Sequence, residues 1–408
     1  MKTKKTPQVE VLIIGGGQAG LAMSNCLTGC NISHVVIERG KIANRWRNES
    51  WDSLRLLTPN YQTRLPNWCY KGKDLNGYMS VQELISFLEN YAKSFNSPIK
   101  TGVIVESVTQ RTKGFQICTD AGTWEAKSIV IATGHCNTPF VPKFSKNLNS
   151  EYKQLISHQY RNPKQIGSGK VLIVGGSATG AQIAEELINA GRNVTLSVGR
   201  HRRLPRSYRN KDILWWVEKM GIFCQPADPE SERNYPAPQL IGSVDGRSLD
   251  VGILQNLGVK LVGRVTSIKD HLIQFDSNLE HDVNHAEEEM RELLARIDAY
   301  ATKQGFDEKT ERINSVKIEP TAVEINLKQD NFETIIWATG YRRAYDWLNI
   351  DMLDKNGELQ HVSGITEQPG VYALGLRRQR KYNSNFIDGV GEDASFLTSH
   401  LKNYISTI

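Results

Sequence analysis

The order of apolar and polar residues predicts the same structural unit twice along the chain. Each unit opens with a short apolar strand, at residues 9–14 and again at 170–174, and continues through a glycine-rich turn into a helix. A second apolar strand follows each helix, at 34–37 and at 193–198. A strand, a turn, a helix and a further strand begin a parallel βαβ unit. The pattern therefore predicts an α/β fold with two Rossmann-like domains.

Each predicted unit is followed, farther along the chain, by an apolar strand that ends in Ala-Thr-Gly. A buried strand followed by small residues lets the backbone approach a ligand at the carboxyl edge of a parallel sheet. We therefore expect a ligand contact at the end of both strands. The motif residues are Ala132, Thr133 and Gly134 after the first of these strands, and Ala338, Thr339 and Gly340 after the second.

The first glycine-rich turn has the pattern that binds a dinucleotide. Its glycines allow a tight bend and a close approach to a pyrophosphate, and the following helix N-terminus supplies oriented N–H groups. Glu38 stands eighteen residues after Gly20, where a carboxylate accepts hydrogen bonds from ribose hydroxyls. We interpret the turn as the site for the pyrophosphate of FAD; a structural turn with a solvated Glu38 is the alternative. The turn residues are Gly15, Gly16, Gly17, Gln18, Ala19 and Gly20.

The second turn differs from the first at two informative positions. Ser177 replaces the middle glycine, and aligning the two following strands places Ser197 where the first unit has Glu38. A carboxylate would repel the 2′-phosphate of NADP, whereas a serine and guanidinium groups would hold it. The turn therefore predicts an NADPH site, and a solvated basic loop is the alternative. The turn residues are Gly175, Gly176, Ser177, Ala178, Thr179 and Gly180, and the basic residues are Arg200, Arg202 and Arg203.

The two sites predict a discontinuous order of domains. Residues 1–160 and 329–408 are expected to form the FAD-binding domain, and residues 161–328 the NADPH-binding domain inserted into it. Within the insertion, apolar residues at helical spacing predict a long amphipathic helix over 279–301. We expect this helix to pack on the second domain; a contact in a homodimer is the less favoured alternative.

Composition and charge exclude several classes of protein. The net charge of +6 is spread over 408 residues apart from a cluster at 200–209, so nucleic acid is not an expected partner. No apolar run is long enough to span a membrane, and the run at 11–14 is too short for a signal peptide. We therefore expect a cytoplasmic protein. The six cysteines show neither a C-x-x-C pair nor a zinc spacing, so no metal site is expected.

The order and spacing of these motifs resemble those of the flavin-containing monooxygenases over nearly the whole chain. The resemblance is carried by the segment 38–56, by Tyr78-Met79-Ser80 before a predicted helix, and by the residues around both Ala-Thr-Gly motifs. In that family the first of these segments wraps the FAD. The resemblance thus implies further FAD contacts in this chain, at Arg39, Arg45, Trp46 and Leu54.

The resemblance also implies a reaction that the cofactors drive. NADPH would reduce the FAD, the reduced flavin would combine with O2 to a C4a-hydroperoxide, and one oxygen atom would pass to a small organic substrate. It further implies polar residues at the catalytic face of the flavin, with Thr58 and Asn60 as candidates. A simple turn before Tyr61 explains Asn60 equally well. Asp388 is the candidate contact to the ribityl chain, with a helix-starting turn as its alternative.

One family signature is altered. The family carries F-x-G-x-x-x-H-x-x-x-[FY] before the second turn; with Tyr160 as its last residue, Ile156 takes the histidine position and His158 comes two residues late. Two alternatives stay open for this reason: an NADPH-dependent flavin oxidase or reductase without oxygen transfer, and a flavin-binding sensor. A thiol–disulfide relay is not expected, because residues 41–58 contain no cysteine and Cys136 has no partner cysteine nearby.

Overall fold

The computed structural model describes residues 6–226 and 236–407; the basic residues 1–5 that begin the chain lie outside this part. None of the helices in the described ranges is both long and apolar enough to cross a lipid bilayer. The helices are α1 Gln18–Gly29, α2 Asn44–Asn48, α3 Val81–Ser94, α4 Ala178–Asn189, α5 Ile213–Lys219, α6 Val251–Asn256, α7 Leu279–Gln304 and α8 Val390–Thr407.

The strands are numbered in chain order. They are β1 Gln8–Ile14, β2 His34–Glu38, β3 Arg64–Leu65, β4 Trp68–Cys69, β5 Ile99–Thr101, β6 Val105–Gln110, β7 Phe115–Thr119, β8 Gly122–Ile131, β9 Thr138–Pro139, β10 Lys153–Ile156, β11 Lys170–Val174, β12 Val194–Ser197, β13 Arg202–Arg203, β14 Ser207–Tyr208, β15 Lys211–Asp212, β16 Pro238–Gln239, β17 Lys260–Val262, β18 Val265–Lys269, β19 Leu272–Phe275, β20 Glu324–Asn326, β21 Phe332–Trp337, β22 Tyr341–Arg342, β23 Leu348–Asn349, β24 His361–Val362, β25 Ile365–Thr366 and β26 Val371–Ala373.

The first sheet is built around the apolar strand β1. This strand pairs in parallel with β2 on one side and β8 on the other, and β5 and β26 extend the parallel core. Val11 and Ile13 face a core formed with helices α1, α3 and α8, while Leu12 faces a second core on the opposite side. β1 is apolar at consecutive positions because both of its faces are buried. An antiparallel pair, β6 and β7, extends the sheet beside β8.

The second sheet contains five parallel strands in the order β10-β21-β11-β12-β17. Helix α4 packs on one face through Ile183 and Leu187. The antiparallel strands β18 and β19 cover the other face, where Leu172 and Val174 of β11 point. The predicted α/β fold with two Rossmann-like domains is thereby confirmed.

Sheet pairing places two strands of the predicted FAD-binding segments in the second sheet. β10 lies before residue 160 and β21 lies after residue 329, yet both pair within the second sheet. The hydrogen bonds between strands, which a local pattern does not report, decide where these strands pair. The boundaries predicted at 160 and 329 therefore do not follow the pairing of these two strands.

The chain crosses between the domains along a two-stranded ribbon formed by β9 and β22. Tyr341 lies opposite Pro139, and the N–H of Phe140 donates to the carbonyl of Gly340 at 2.9 Å. The guanidinium of Arg342 lies 4.2 Å from the centre of the Phe140 ring. Both Ala-Thr-Gly motifs lead directly into this ribbon, so the carboxyl edges of the two sheets are joined at one place.

Helix α7 packs on the second domain along most of its length. Near its start, Leu279 and Val283 enter the core of the second sheet. Farther along, Met290 and Ile297 pack with Trp216 of α5 in a separate apolar cluster. The predicted amphipathic helix is therefore present, and its buried face is used within this chain.

A buried guanidinium fastens α7 to the rest of the second domain. Arg203 Nε donates to Asp250 Oδ2 at 2.8 Å, and its Nη1 lies 3.5 Å from Glu287 Oε2 on α7. Its Nη2 donates to the carbonyl of Asn314 at 2.9 Å. A buried charge is tolerated only when it is paired and hydrogen-bonded, and Arg203 meets both conditions.

Arg203→Met is expected to lower the free energy of unfolding by about 3 kcal/mol, because it leaves the buried carboxylate of Asp250 without its cation, while Glu287 keeps Arg291. Lys127→Met is the control, since Lys127 forms an exposed ion pair and its loss is expected to change stability by less than about 1 kcal/mol. Denaturant unfolding of both variants measures the difference. An Arg203→Met protein of normal stability that binds NADPH poorly would instead make Arg203 a cofactor ligand.

Candidate functional site

The first glycine-rich turn closes tightly against the strand beside it. Gly15 has a φ of +114°, and a Cβ at this position would lie 2.5 Å from the carbonyl oxygen of Ala132. A Cβ on Gly20 would lie 1.8 Å from the carbonyl oxygen of Gly15, so α1 touches the turn. A Cβ on Gly17, by contrast, would meet no atom within 4 Å. The turn is closed on the protein side and open where α1 begins, which is the shape that a pyrophosphate requires.

The second turn repeats this geometry. Gly175 has a φ of +115°, and its Cβ would lie 2.4 Å from the carbonyl oxygen of Ala338. A Cβ on Gly180 would lie 1.8 Å from the carbonyl oxygen of Gly175. Ser177 precedes α4 as Gly17 precedes α1, and its hydroxyl does not cap the helix. Each helix therefore begins with N–H groups available to a phosphate, contributed by Gln18 and Ala19 in α1 and by Ala178 and Thr179 in α4.

Glu38 joins the tip of β2 to the first turn. Its Oε2 accepts the N–H of Gly16 at 2.6 Å, and its Oε1 accepts the N–H of Gly40 at 2.9 Å. Each carboxylate oxygen retains lone-pair capacity for a further donor. The buried carboxylate thus lies where the hydroxyls of an adenosine ribose would reach it.

The counterpart of Glu38 in the second domain is Val198 and not Ser197. In each domain the first glycine of the turn donates its N–H to the residue before this position, to Ile37 O at 2.8 Å and to Ser197 O at 2.9 Å. The alignment of the two strands from sequence is one residue out of register. Counted from the turn, Val198 stands eighteen residues after Gly180, as Glu38 stands eighteen residues after Gly20.

The Ser197 hydroxyl is therefore engaged within the protein. The side chain is buried and donates to the carbonyl of Gly263 at 2.8 Å. Val198 at the tip is fully buried and uncharged. The second turn still lacks a carboxylate that would repel a 2′-phosphate, although the residue responsible is different from the predicted one.

The three arginines predicted to bind that phosphate lie in different surroundings. Arg200 is exposed directly after the strand tip. Arg202 is half-buried, and its Nη1 donates to the hydroxyl of Tyr382 at 3.1 Å. Arg203 is engaged in the buried ion pairs that hold α7. The geometry thus leaves Arg200 and Arg202 as candidates and gives Arg203 a structural role.

Arg264 is a further basic residue at this tip that the sequence does not single out. It follows β17, the neighbour of β12, and a Cβ built on Gly199 would lie 3.5 Å from its side-chain carbons. Its side chain is exposed. A glycine and an arginine directly after an apolar strand are the only local signal, and the pairing of β17 with β12 is what brings Arg264 to the site.

The first Ala-Thr-Gly motif ends β8 beside the first turn. The Thr133 hydroxyl is buried and has no hydrogen-bond partner among the described residues, and Gly134 has a φ of +78°. Burial, together with the nearby Arg377 and Arg45, lowers the pKa of His135 to about 3. A neutral imidazole and an unpaired hydroxyl suit contact with a cofactor, because buried polar groups otherwise find partners.

The second Ala-Thr-Gly motif, unlike the first, makes its polar contacts within the protein. The carbonyl of Ala338 closes the second turn, as described above. The hydroxyl of Thr339 donates to the carbonyl of Phe140, and Gly340 has a φ of +87°. These contacts shape the ribbon between the domains.

Of the two arginines predicted in the wrapping segment, Arg39 precedes α2 and Arg45 lies within it. Arg39 is exposed, and its Nη2 lies 3.4 Å from Glu49. The guanidinium of Arg45 lies 4.4 Å from the centre of the Tyr341 ring and donates to the carbonyl of Cys136. Arg45 therefore connects this segment to the residues that follow both Ala-Thr-Gly motifs.

The rest of this segment approaches the second domain. Trp46 is partly buried against the core beside α1. Leu54 contacts the cores of both domains. Thr58 is half-buried a few residues later. The predicted flavin-facing residues thus lie where the two domains meet.

Asn60 forms a turn and also presents a free acceptor. Its Nδ2 donates to the carbonyl of Asp74 at 2.8 Å, while its Oδ1 is buried and has no hydrogen-bond partner in the described chain. The next three residues show the same feature, which the sequence does not indicate. The unpaired buried atoms are Asn60 Oδ1, Tyr61 OH, Gln62 Oε1 and Thr63 Oγ1. Four in succession fit a face that contacts a ligand, since such groups are rare in a native core.

Asp388 lies beside this face. Its Oδ2 accepts from Asn383 Nδ2 at 3.4 Å and lies 3.7 Å from Arg64, while Oδ1 is buried and unpaired within the described residues. Burial raises the pKa of Asp388 to about 6. Gln18 Nε2 donates to the carbonyl of Asn385 at 3.2 Å, which ties this loop to the start of α1.

The altered family signature forms an edge strand of the second sheet. Ile156 ends β10, and Tyr160 is fully buried with its hydroxyl donating to Glu186 Oε2 at 2.5 Å. Burial lowers the pKa of His158, whose Nδ1 has no hydrogen-bond partner in the described chain. The segment thus retains a packing role at the domain boundary.

All six cysteines lie in the described part of the chain, and none forms a disulfide. Burial raises the pKa of the Cys136 thiol, and burial also raises the pKa of Cys26 to about 11. A thiol with a raised pKa is a poor nucleophile. Neither residue has the environment of a redox-active cysteine.

The comparison with known proteins agrees with this geometry. The sequence profile of the pyridine nucleotide-disulphide oxidoreductase family matches residues 12–219, the part that contains both turns. The chain belongs to this family. A CzcO-like oxidoreductase from Geobacillus kaustophilus is 32% identical over 403 residues, which cover 97% of this chain and 99% of the relative. The probable indole-3-pyruvate monooxygenase YUCCA10 of Arabidopsis thaliana is 26% identical over 98% of this chain and 99% of its own.

Solved structures show the same fold. The flavin-containing monooxygenase from Stenotrophomonas maltophilia has a TM-score of 0.69 at 20% identity, over 98% of this chain and 99% of that one. The bacillithiol disulfide reductase Bdr from Staphylococcus aureus has a TM-score of 0.61 at 16% identity, with coverage of 98% and 99%. The protein is a flavin-dependent oxidoreductase that resembles the flavin-containing monooxygenases, and its cofactors are FAD and NAD(P)H.

Asp388→Asn is expected to remove a loss of stability between about pH 4 and pH 6. The folded protein keeps the Asp388 proton up to a pKa of about 6, whereas the unfolded chain releases it at 3.8. The free energy of unfolding therefore falls as pH rises through this window, by roughly 3 kcal/mol in total, and the asparagine variant lacks that contribution.

Urea unfolding of the FAD-free protein across this pH range measures the effect. Asp245→Asn is the control, because Asp245 is exposed and its lowered pKa places its titration below the window. Parallel pH profiles for wild type and Asp388→Asn would contradict the prediction.

Proposed function

We propose that this protein is an FAD-containing, NADPH-consuming monooxygenase that transfers one oxygen atom of O2 to a small organic substrate. The observation that carries the proposal is the pair of open phosphate-binding turns of equal geometry on two sheets whose carboxyl edges the ribbon joins. Such an arrangement suits a flavin and a nicotinamide that meet at the domain boundary. The likeness to a probable indole-3-pyruvate monooxygenase along the whole chain supports oxygen transfer.

The FAD is assigned to the first domain. The N–H groups of Gly17, Gln18 and Ala19 would hold the pyrophosphate, and Glu38 would accept hydrogen bonds from the ribose hydroxyls. Further contacts are assigned to residues of the wrapping segment and the neighbouring loops, namely Arg39, Arg45, Trp46, Leu54, Thr133, Gly134 and Asp388. The unpaired Thr133 hydroxyl and Asp388 carboxylate oxygen support two of these assignments.

The NADPH is assigned to the second domain. The N–H groups of Ser177, Ala178 and Thr179 would hold its pyrophosphate. Arg200 and Arg202 would bind the 2′-phosphate, and Arg264 joins them in place of Ser197 and Arg203. Val198 takes the place that the carboxylate of Glu38 has in the first domain, and this supports NADPH over NADH as the coenzyme.

The flavin, when bound, supplies the oxygen activation for which protein side chains have no equivalent chemistry. The residues of this chain bind, orient and exclude water. Asn60 is assigned to the catalytic face, together with Gln62 and Thr63, because each has a buried polar atom without a partner among the described residues. Thr58 is assigned to the same face as the half-buried polar residue that precedes them. In an enclosed site these groups form stronger hydrogen bonds than they would in water.

Disulfide reduction is not proposed, although the family name includes it. That chemistry needs a reactive thiolate beside the flavin, and burial raises the pKa of the Cys136 thiol. The fold shared with a bacillithiol disulfide reductase carries no activity by itself.

Measuring NADPH consumed, peroxide released and labelled oxygen incorporated from O2 tests the proposal. The panel contains amines, sulfides, hydroxylamines and ketones. A true substrate is expected to bring oxygenated product close to one per NADPH and to suppress peroxide. Full recovery of the reducing equivalents as peroxide with every compound would establish a flavin oxidase instead.

Charge reversal at the second strand tip tests the choice of coenzyme. Arg200→Glu combined with Arg202→Glu is expected to raise the Michaelis constant for NADPH by about 10-fold or more, because charge-assisted bonds to the 2′-phosphate are lost. The constant for NADH should stay near its original value. Arg312→Glu, an exposed change elsewhere in the insertion, is the control. Equal losses for both coenzymes would refute the assignment.

A further inference from the structure

The segment 52–64, which carries the proposed flavin-facing residues, is attached along its length to the second domain. Near its start, Ser53 Oγ donates to Glu186 Oε1 at 2.6 Å. At its end, Arg64 Nη2 donates to Glu218 Oε1 at 2.6 Å. Both carboxylates belong to helices of the inserted domain. The segment therefore depends on the second domain for its position at both ends.

The most deeply buried attachment lies between these two. Arg206 has a side chain that is 1% exposed; its Nη1 donates to the carbonyl of Leu57 at 2.9 Å and its Nη2 to Asp212 Oδ1 at 2.6 Å. The other oxygen of Asp212 accepts from the hydroxyl of Tyr78 at 2.6 Å. We call these four residues the Arg206 clasp. Arg206 and Asp212 come from the second domain, and Leu57 and Tyr78 from the first.

The surfaces around the clasp fit closely. A Cβ on Gly242 of the second domain would lie 2.0 Å from the carbonyl oxygen of Leu56 and 3.1 Å from the Cβ of Tyr78. The N–H of Leu56 donates to the carbonyl of Met79 at 2.8 Å, which joins the two chain segments of the first domain that the clasp holds. The guanidinium of Arg206 also lies 5.0 Å from the centre of the Tyr78 ring.

Rotation of one domain against the other would break this arrangement. Arg206 would leave the carbonyl of Leu57, and Asp212 would lose the Tyr78 hydroxyl. Each change removes a hydrogen bond from a buried polar group, the Leu57 carbonyl or the Tyr78 hydroxyl, which is unfavourable in a low-dielectric interior. The clasp therefore favours a single relative orientation of the two domains.

We propose that Arg206 is a positioning residue that fixes residues 57–60 against the second domain, so that the flavin and the nicotinamide meet without rotation of the domains. The proposal rests on the proposed function, because it takes the two turns as FAD and NADPH sites. Thr58 and Asn60 follow Leu57 directly, so a shift of the Leu57 carbonyl moves them relative to the flavin. A small misplacement of reacting groups lowers a rate strongly while leaving binding intact.

The chain contains a matched control for the clasp. Arg209 Nη1 donates to Asp298 Oδ1 at 2.8 Å, and the hydroxyl of Tyr208 donates to Asp298 Oδ2 at 2.9 Å. This second Arg-Asp-Tyr group has the same chemistry as the clasp, but all three residues lie within the inserted domain. Equivalent substitutions in the two groups therefore separate positioning across the boundary from general stability.

The test compares the variants Arg206→Lys and Tyr78→Phe with Arg209→Lys and Tyr208→Phe, all as FAD-loaded protein. Anaerobic stopped-flow mixing with NADPH gives the limiting rate of flavin reduction and the dissociation constant. The clasp variants are expected to reduce about 10-fold more slowly at saturating NADPH with the dissociation constant little changed. The control variants should reduce at close to the wild-type rate. Flavin content and the thermal unfolding midpoint confirm that each variant is folded, and Tyr78→Phe keeps the ring in place.

Hydrogen exchange of residues 57–60 and 76–79 gives a second readout that needs no activity. Faster exchange in the clasp variants than in the control variants is expected. Wild-type reduction rates in the clasp variants, or equal slowing in both pairs, would overturn the proposal. If NADPH does not reduce the wild-type flavin, the proposed function fails, and exchange alone decides the clasp: equal protection in both pairs would then refute it.

Discussion

The contact on which both sites depend is the approach of a turn glycine to the carbonyl at the end of the neighbouring strand. Gly15 packs on Ala132, and Gly175 on Ala338, with no space for a side chain in either case. This contact brings the end of one strand, the start of a helix and an Ala-Thr-Gly motif together at the carboxyl edge of a parallel sheet. Any larger residue would separate the strand from the helix start and remove the opening for a phosphate.

The two copies share this contact and differ in what surrounds it. A buried carboxylate at Glu38 holds the first turn, whereas an apolar valine occupies the matching place in the second. Exposed arginines lie beside the end of β12 in the second domain. One of them, Arg264, follows the neighbouring strand β17. In the proposed function, a common backbone distinguishes FAD from NADPH through a few side chains at the strand tips.

The boundary between the domains concentrates the groups that packing leaves unsatisfied. Polar atoms from Asn60 to Thr63 are buried without partners, although nearly all such atoms in a folded protein are paired. The Arg206 clasp, close by, forms hydrogen bonds through Nη1 and Nη2, while Arg206 Nε is buried without a partner in the described chain. Hydrogen bonds between the domains beside a face of unpaired polar atoms are the arrangement expected where a cofactor completes the hydrogen bonding.

The sequence by itself determined the two βαβ units, their glycine turns, the long amphipathic helix and the kinship with flavoproteins, because glycine spacing and hydrophobic period are local properties. The strand alignment placed the counterpart of Glu38 at Ser197, one residue before Val198, although Val198 stands as far from Gly180 as Glu38 does from Gly20. The pairing of β10 and β21 in the second sheet depends on hydrogen bonds between strands, which a local pattern does not report. The sequence also counted Arg203 among the phosphate ligands, whereas tertiary packing buries it against α7. Which arginines reach the second tip, and how residues 52–64 are held, are decided only by contacts between segments far apart in the chain. Those contacts leave no periodic trace in the sequence.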